Sequence, residues 1–213
     1  MNFAEYNVKD ANLEEILLAL KSLDTVEAVA LGGSRSTGAS DENSDYDIYV
    51  YCAEIPTAET RENLLGKYCS IAEFGNHYWE SEDNTVMNNG IPVDIIYREV
   101  DRFGRYIDTV IKGGKAFNGY TTAFWHNIKN SKVLFDKTGT FTKFRDMAQI
   151  DFPENLRSAI IKNNRNLLNG KLPSYDRQIK KAQERGDIVS VNHRITAFLE
   201  SYFDVIFALN RQT

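Results

Sequence analysis

Residues 31–52 read LGGSRSTGASDENSDYDIYVYC, and the rest of the chain is read outward from them. The apolar run Val26–Leu31 has the length of a strand and ends at Gly32-Gly33-Ser34. A strand that delivers a glycine turn and a helix start aims backbone N–H groups at one spot, as in phosphate cradles. The same three residues after a strand also make an ordinary turn. After a connection from Arg35 to Ser44, Asp45–Ala53 reads as a second strand. Alternation puts Asp45, Asp47, Tyr49 and Tyr51 on one face and Tyr46, Ile48, Val50 and Cys52 on the other. Aspartate is disfavoured in strands, so a same-face pair calls for a reason. A magnesium ion, which takes a few carboxylates together with water and phosphate oxygens, supplies one. For an isolated Asp-x-Asp, a turn cap and a solvated edge residue remain the simpler reading.

On the N-terminal side, residues 11–23 predict a helix, with Asn12 and Glu15 as a capping box and Leu13, Ile16, Leu17, Leu20 and Leu23 on its apolar stripe. On the other side, Pro56 to Ser70 reads as a helix with Leu64, Leu65 and Tyr68 inward. A polar connection over Trp79–Asn84 follows, with Trp79 expected to pack rather than to stack on a base. Asn88-Asn89-Gly90 between Thr85–Met87 and Ile91–Tyr97 predicts a hairpin. Its second arm carries Asp94 among apolar residues, where a carboxylate needs either an arginine or a shared metal. Further elements are expected at Glu99–Ile111 (helix, closed by Gly113-Gly114), Tyr120–Ile128 (helix), Lys132–Phe135 (strand) and about Thr140 to Ala148 (helix).

Asp151 as helix cap and Pro153 in the first turn then mark the start of an all-helical end, with helices over 153–169, 174–185 and 187–211. The expected architecture is therefore α+β. Residues 1–150 make a small mixed sheet with flanking helices, and residues 151–213 make a helical substrate-binding or interaction domain. In the last helix Ile188, Val191, Ile195, Phe198, Leu199, Tyr202, Ile206 and Leu209 form one stripe, expected to pack. His193, Glu200, Asp204 and Arg211 lie opposite, and a carboxylate there is a candidate general base if that face looks into a cleft. The chain stops at Arg211-Gln212-Thr213 directly after an apolar helix, which reads as a truncated C-terminus.

Composition narrows the function classes. Residues 1–150 hold 15 Lys/Arg against 23 Asp/Glu, net −8, and residues 151–213 hold 10 against 7, net +3, which together give −5. An acidic body with a mildly basic tail lacks the concentrated basic face of a duplex-DNA binder. No run of about 18 apolar residues is present, so no membrane span is expected. The acidic N-terminus lacks a signal core, and the expectation is a cytoplasmic protein. Cys52 and Cys69, assigned to a strand and a helix, read as buried thiols rather than as a disulfide.

Taken together, Leu31-Gly32-Gly33-Ser34, Asp45-Tyr46-Asp47 and Val93-Asp94-Ile95 resemble the nucleotidyltransferase superfamily that includes DNA polymerase beta. Its pattern is hydrophobic-Gly-Ser, about ten residues, Asp-x-Asp, and a later hydrophobic-Asp-hydrophobic. The layout is most similar to bacterial members with a C-terminal helical domain, among them aminoglycoside and lincosamide nucleotidyltransferases. The motif covers Leu31–Ile96; beyond about residue 150 the likeness is one of layout. The resemblance implies two Mg²⁺ ions held by Asp45, Asp47 and Asp94, with Gly32, Gly33 and Ser34 on the triphosphate and Arg35 as an electrostatic aid. It implies transfer of a nucleoside monophosphate, AMP from ATP before other nucleotides, to a hydroxyl of a small molecule. Glu200 or Asp204, or Asp94 itself, would take the acceptor's proton. An RNA or protein acceptor, a non-catalytic nucleotide-binding partner or antitoxin module, and assembly as a homodimer all stay open. His77, His126 and His193 lack zinc-ligand spacing.

Overall fold

The structure, a computed structural model, describes residues 9–41, 44–170 and 172–213. Glu42 and Asn43 of the connection before the Asp-x-Asp strand lie outside the described residues. The chain divides into two compact units, one of Met1–Arg105 with Asn127–Gln149 and the other of Tyr106–His126 with Ile150–Thr213. Residues 106–126 thus pack with the helical end, which a single boundary near 150 does not express.

The first unit is built on a sheet of six strands among the described residues, in the order β3-β4-β5-β2-β1-β6. The strands are β1 Val26–Leu31, β2 Tyr46–Cys52, β3 Cys69–Asn76, β4 Ser81–Met87, β5 Pro92–Glu99 and β6 Lys132–Asp136. Only β2 and β5 run parallel; the other neighbours are antiparallel. One face of the sheet presents Val29, Leu31, Ile48, Val50, Val93 and Ile95. Leu13, Ile16, Leu17 and Leu20 of helix α1 (Ala11–Lys21) close over it. Each such aliphatic side chain contributes about 1.5–3 kcal/mol by leaving water. The other face changes character along β2. At its far end Tyr51 is sealed among Phe103, Phe141 and Phe144, with ring centroids 5.3–5.7 Å away. At its near end Asp45 and Asp47 are only half-buried.

Four local readings change. Asp10, not Asn12, caps α1: its Oδ1 accepts the N–H of Asn12 at 2.9 Å and of Leu13 at 3.3 Å, placing Asn12 inside the helix. The helix expected over 56–70 is only α3, Ala58–Leu65, capped by Thr57. It ends in a 3-10 turn at Gly66–Tyr68, and Cys69 opens β3 instead of closing a helix. The polar stretch from Ser81 is the start of β4. Apolar alternation is missing there because both faces are polar: Asp83 is wholly buried beside Arg61 at 3.5 Å and accepts the Gly75 N–H, while Glu82 and Asn84 face the other way. Cys52 is buried and Cys69 half-buried, both as free thiols.

The second unit contains α7 (Glu154–Asn169), α8 (Tyr175–Glu184) and α9 (Ile188–Asn210), with α9 lying against both others. Pro153, not Asp151, holds the cap position of α7; Asp151 is exposed, and Phe152 beside it is buried against Trp125. The buried line of α9 is not the expected stripe, of which Val191, Phe198 and Ile206 are only half-buried. Ser201, Asp204 and Ala208 are its buried residues, whereas Ile188, Ile195, Leu199, Tyr202 and Leu209 are 40–75 % exposed. Asp204 explains the choice. It accepts hydrogen bonds from the Thr121 N–H (3.0 Å), Thr121 Oγ1 (2.7 Å) and Asn164 Nδ2 (3.2 Å), so its burial is compensated. No described helix is long and apolar enough to cross a membrane.

Candidate functional site

Gly32, Gly33, Ser34, Arg35, Asp45, Asp47 and Asp94 all lie in the sheet unit. β1 delivers the glycines into a short helix, α2 (Gly33–Thr37), and Gly32 donates its N–H to the Asp47 carbonyl at 2.8 Å. The turn is therefore fastened to the strand that carries the aspartates. Gly33 sits at φ +58, and a Cβ there would collide with the Asp47 carboxylate. Only glycine lets the backbone come this close at that φ without strain.

In the parallel β2–β5 pair Asp47 stands directly opposite Asp94. The row continues across the sheet, Asp94 opposite Asn84 on β4 and Asn84 opposite Glu73 on β3. Hydrogen bonds tie it together. Asn84 Nδ2 donates to Asp94 Oδ1 at 2.9 Å, and Asn76 Nδ2 donates to Asn84 Oδ1 at 2.8 Å and to Glu73 Oε2 at 3.3 Å. Asp94, expected to need an arginine or a metal, is met on one side by an amide. The neighbouring row holds Tyr49, Ile96 and Glu82, and burial together with the Asp94 charge pushes the Glu82 carboxyl up.

Burial, then the charges of Asp45 and Asp94, raise the Asp47 carboxyl to about 6. Three carboxylates thus gather where ionising one is opposed by the others, the situation a divalent cation relieves. Their oxygens are the hard donors Mg²⁺ takes, so Asp45, Asp47 and Asp94 fit that ion. They do not close into a ready-made cage, and among the described residues no group of three His, Cys, Asp or Glu does so.

Arg35 is used differently from the expectation. Its guanidinium donates through Nε to the carbonyls of Ser44 (3.0 Å) and Asp45 (2.9 Å), bonds Ser44 again through a terminal nitrogen, and stacks 4.1 Å over the Tyr46 ring. It fixes the backbone that aims Asp45. Behind the aspartates, Tyr49 abuts Gly32 and is stacked at 4.1 Å by the buried Arg98, which forms a fork with Glu80 at 2.8 and 2.7 Å. Asn76, Asn84, Glu82 and this Arg98–Glu80 brace were missed from sequence. For Glu82 and Asn84 the only signal was alternation within 81–85, masked by polar residues on both faces.

The remaining candidates belong to the helical unit or the surface. Glu200 is half-buried on α9, its Cβ and backbone against Gly119. Asp204 lies in that unit's interior with its oxygens engaged as described, and burial raises its carboxyl. Trp79, expected to pack, is 91 % exposed beside the 72 % exposed Tyr78.

Residues 13–117 match the family described as a nucleotidyltransferase domain, and residues 122–212 match a domain of unknown function, DUF4037. No curated protein matches the chain. Among solved structures it is similar to a nucleotidyltransferase-like protein from Exiguobacterium sibiricum 255-15, at 10 % identity and a TM-score of 0.44, over 93 % of this chain and 57 % of that one. It is also similar to a toxin–antitoxin solved with AMP-PNP, at 15 % identity and a TM-score of 0.39, over 73 % of this chain and 94 % of that one. The chain spans little more than half the length of the Exiguobacterium protein.

Proposed function

From the match of residues 13–117 to the nucleotidyltransferase domain family, we propose that the chain transfers a nucleoside monophosphate, AMP from ATP, to a hydroxyl of a cationic small molecule of aminoglycoside-like or lincosamide-like type. The observation that carries the reading is the row Asp47–Asp94–Asn84–Glu73, with Gly32 fastened to Asp47 at one end and acids and amides continuing at the other. The phosphate end and the acidic end share one sheet face, and an acidic face attracts a cationic acceptor.

Asp45, Asp47 and Asp94 would hold Mg²⁺, two ions in the superfamily's manner, and the backbone of Gly32 and Gly33 with Ser34 would hold the triphosphate. When bound, the metal neutralises phosphate charge and stabilises the departing pyrophosphate. The acceptor oxygen forms a bond to the α-phosphorus as the bond from that phosphorus to the bridging oxygen breaks. The hydroxyl proton passes to a carboxylate, for which Asp94 is the candidate within the sheet unit. Asn84 holds Asp94 through its hydrogen bond to Oδ1, and Arg35 keeps Asp45 in place. A positioned carboxylate base supplies about 10²–10⁴-fold.

The test is pyrophosphate release from each of ATP, GTP, CTP and UTP with Mg²⁺ and a panel of polycationic and lincosamide-type hydroxyl compounds, beside Asp47→Asn. Acceptor-stimulated release that Asp47→Asn abolishes supports the reading. Mg²⁺-dependent nucleotide binding without turnover on any acceptor would replace it with the nucleotide-sensing module. A second reading has its own support. A groove of the helical unit lined by Lys162, Arg165 and Arg177 with Asn166 and Asn169 suits a polyanion such as an RNA end. Nucleotide incorporation into RNA that falls steeply with salt would favour that acceptor.

A further inference from the structure

The outward face of α9 carries more order than a helix merely left bare. From Ile188 to Leu209 its outward positions advance by alternating steps of four and three residues, through Asn192, Ile195, Leu199, Tyr202 and Ile206. This is the 3.5-residue repeat that lets one helix lie along another at a shallow angle, with side chains seated between those of the partner. The flanks are uncharged as well. Val189 and Phe203 are 81 % and 48 % exposed, and Phe198, Tyr202, Phe203 and Phe207 form a run of rings with centroids 5.7–6.2 Å apart. Ile206 is half-buried, and the other apolar seam positions stay 40–75 % exposed.

We propose that α9 is a self-association helix, and that a second copy of this chain packs along the seam from Ile188 to Leu209. Three features favour a second copy. Eight large apolar residues of α9 are 40–81 % exposed, and at roughly 200 Å² of surface per such residue they leave on the order of 800 Å² for one partner, the share each side contributes to a stable complex. The seam repeats over the length of the helix, so two identical helices can interdigitate throughout, and an isologous contact needs only one such surface. Its flanks present no Lys, Arg, Asp or Glu, the groups that would code for a different, charged partner. Asn192, the polar residue within the seam, suits a register-setting role. The inference does not depend on the proposed reaction.

The experiment is the solution mass of the full chain by sedimentation or light scattering across roughly 1–100 μM, a range that bounds ordinary dimer affinities. The expected result is twice the 24.3 kDa chain mass. Leu199→Glu and, separately, Ile188→Glu should return it to one chain with unchanged helical circular dichroism, raising the dimer dissociation constant about a hundredfold or more because each copy would bury a charge. Both positions are solvent-accessible in the single chain, so neither change should unfold it. Wild-type protein of single-chain mass at the highest concentration would overturn the proposal. So would a doubled mass that neither substitution alters.

Discussion

Asp47 is held at a cost that the fold bears for the sake of the site. Its carboxyl is raised from 3.8 to about 6, by burial first and by Asp45 and Asp94 next. The folded chain therefore binds this proton more tightly than the unfolded chain. The stability it brings is fully present below about pH 3.8 and is lost as pH rises through about 6. With divalent cations chelated, Asp47→Asn should melt higher than wild type at pH 8, by about 2–4 °C for the roughly 1 kcal/mol left after solvent screening, and match it near pH 4. The same variant should have no transferase activity. A lower melting temperature at pH 8 would show that the carboxylate stabilises the fold. Asn84 makes the complementary case: Asn84→Ala removes the donor to Asp94 Oδ1 and should lower kcat about 10–100-fold with nucleotide affinity little changed. Asp45, Asp47 and Asp94 were legible because carboxylates in otherwise apolar strands demand an explanation. Asn84 was not, since an amide in a polar stretch demands none.

At the scale of elements, the β1–α2–β2 unit works because Gly33 removes a side chain where the turn's backbone meets the Asp47 carboxylate. Gly33→Ala would place a Cβ at φ +58 against the Asp47 carboxylate. The expected loss is about 1–3 kcal/mol of stability from strain, together with most of the activity. Denaturant melts and turnover measured on one preparation check both. Val26–Leu31 and the glycine turn could be read residue by residue, because a buried central strand and its turn use strong local signals. Helix α9 shows where such reading stops. Periodicity separates a helix into faces, but it does not say which face the protein covers. Asp204 went inward here because Thr121 and Asn164 satisfy it, while His193 and Arg211 of the same face stay exposed. Asp204→Ala should accordingly destabilise the chain by about 1–3 kcal/mol, leaving the Thr121 N–H without its acceptor while Asn164 Nδ2 keeps the Phe117 and Ile160 carbonyls. Urea unfolding measures it; loss of turnover at unchanged stability would instead assign Asp204 to the chemistry.

For the molecule as a whole, the connectivity sets how the two units depend on each other in sequence. The chain leaves the sheet unit at residue 106, returns at 127 and leaves again at 150. A composition shift and a proline near 150 were visible in the sequence. The first departure was not, because α4 (Val100–Ile111) and α5 (Ala123–Asn130) run through the unit boundaries without a break or linker. A chain ending at residue 150 would keep Tyr106–His126 but lose what they pack on. Trp125 would lose Phe152, whose ring centroid lies 5.3 Å from its own, and Thr121 would lose both bonds to Asp204. Trp125 is 1 % exposed in the whole chain, so the truncation uncovers a large apolar surface. The expected outcome is that residues 1–150 alone aggregate, or stay soluble with loosened packing, red-shifted tryptophan emission and no cooperative melt. Because Trp79 is already solvent-exposed, the shift should vanish in a Trp125→Phe background and persist in Trp79→Phe. A monodisperse, cooperatively melting 1–150 fragment would mean that residues 106–126 need no helical partner. The sheet unit would then be an independent domain with its boundary where the sequence placed it.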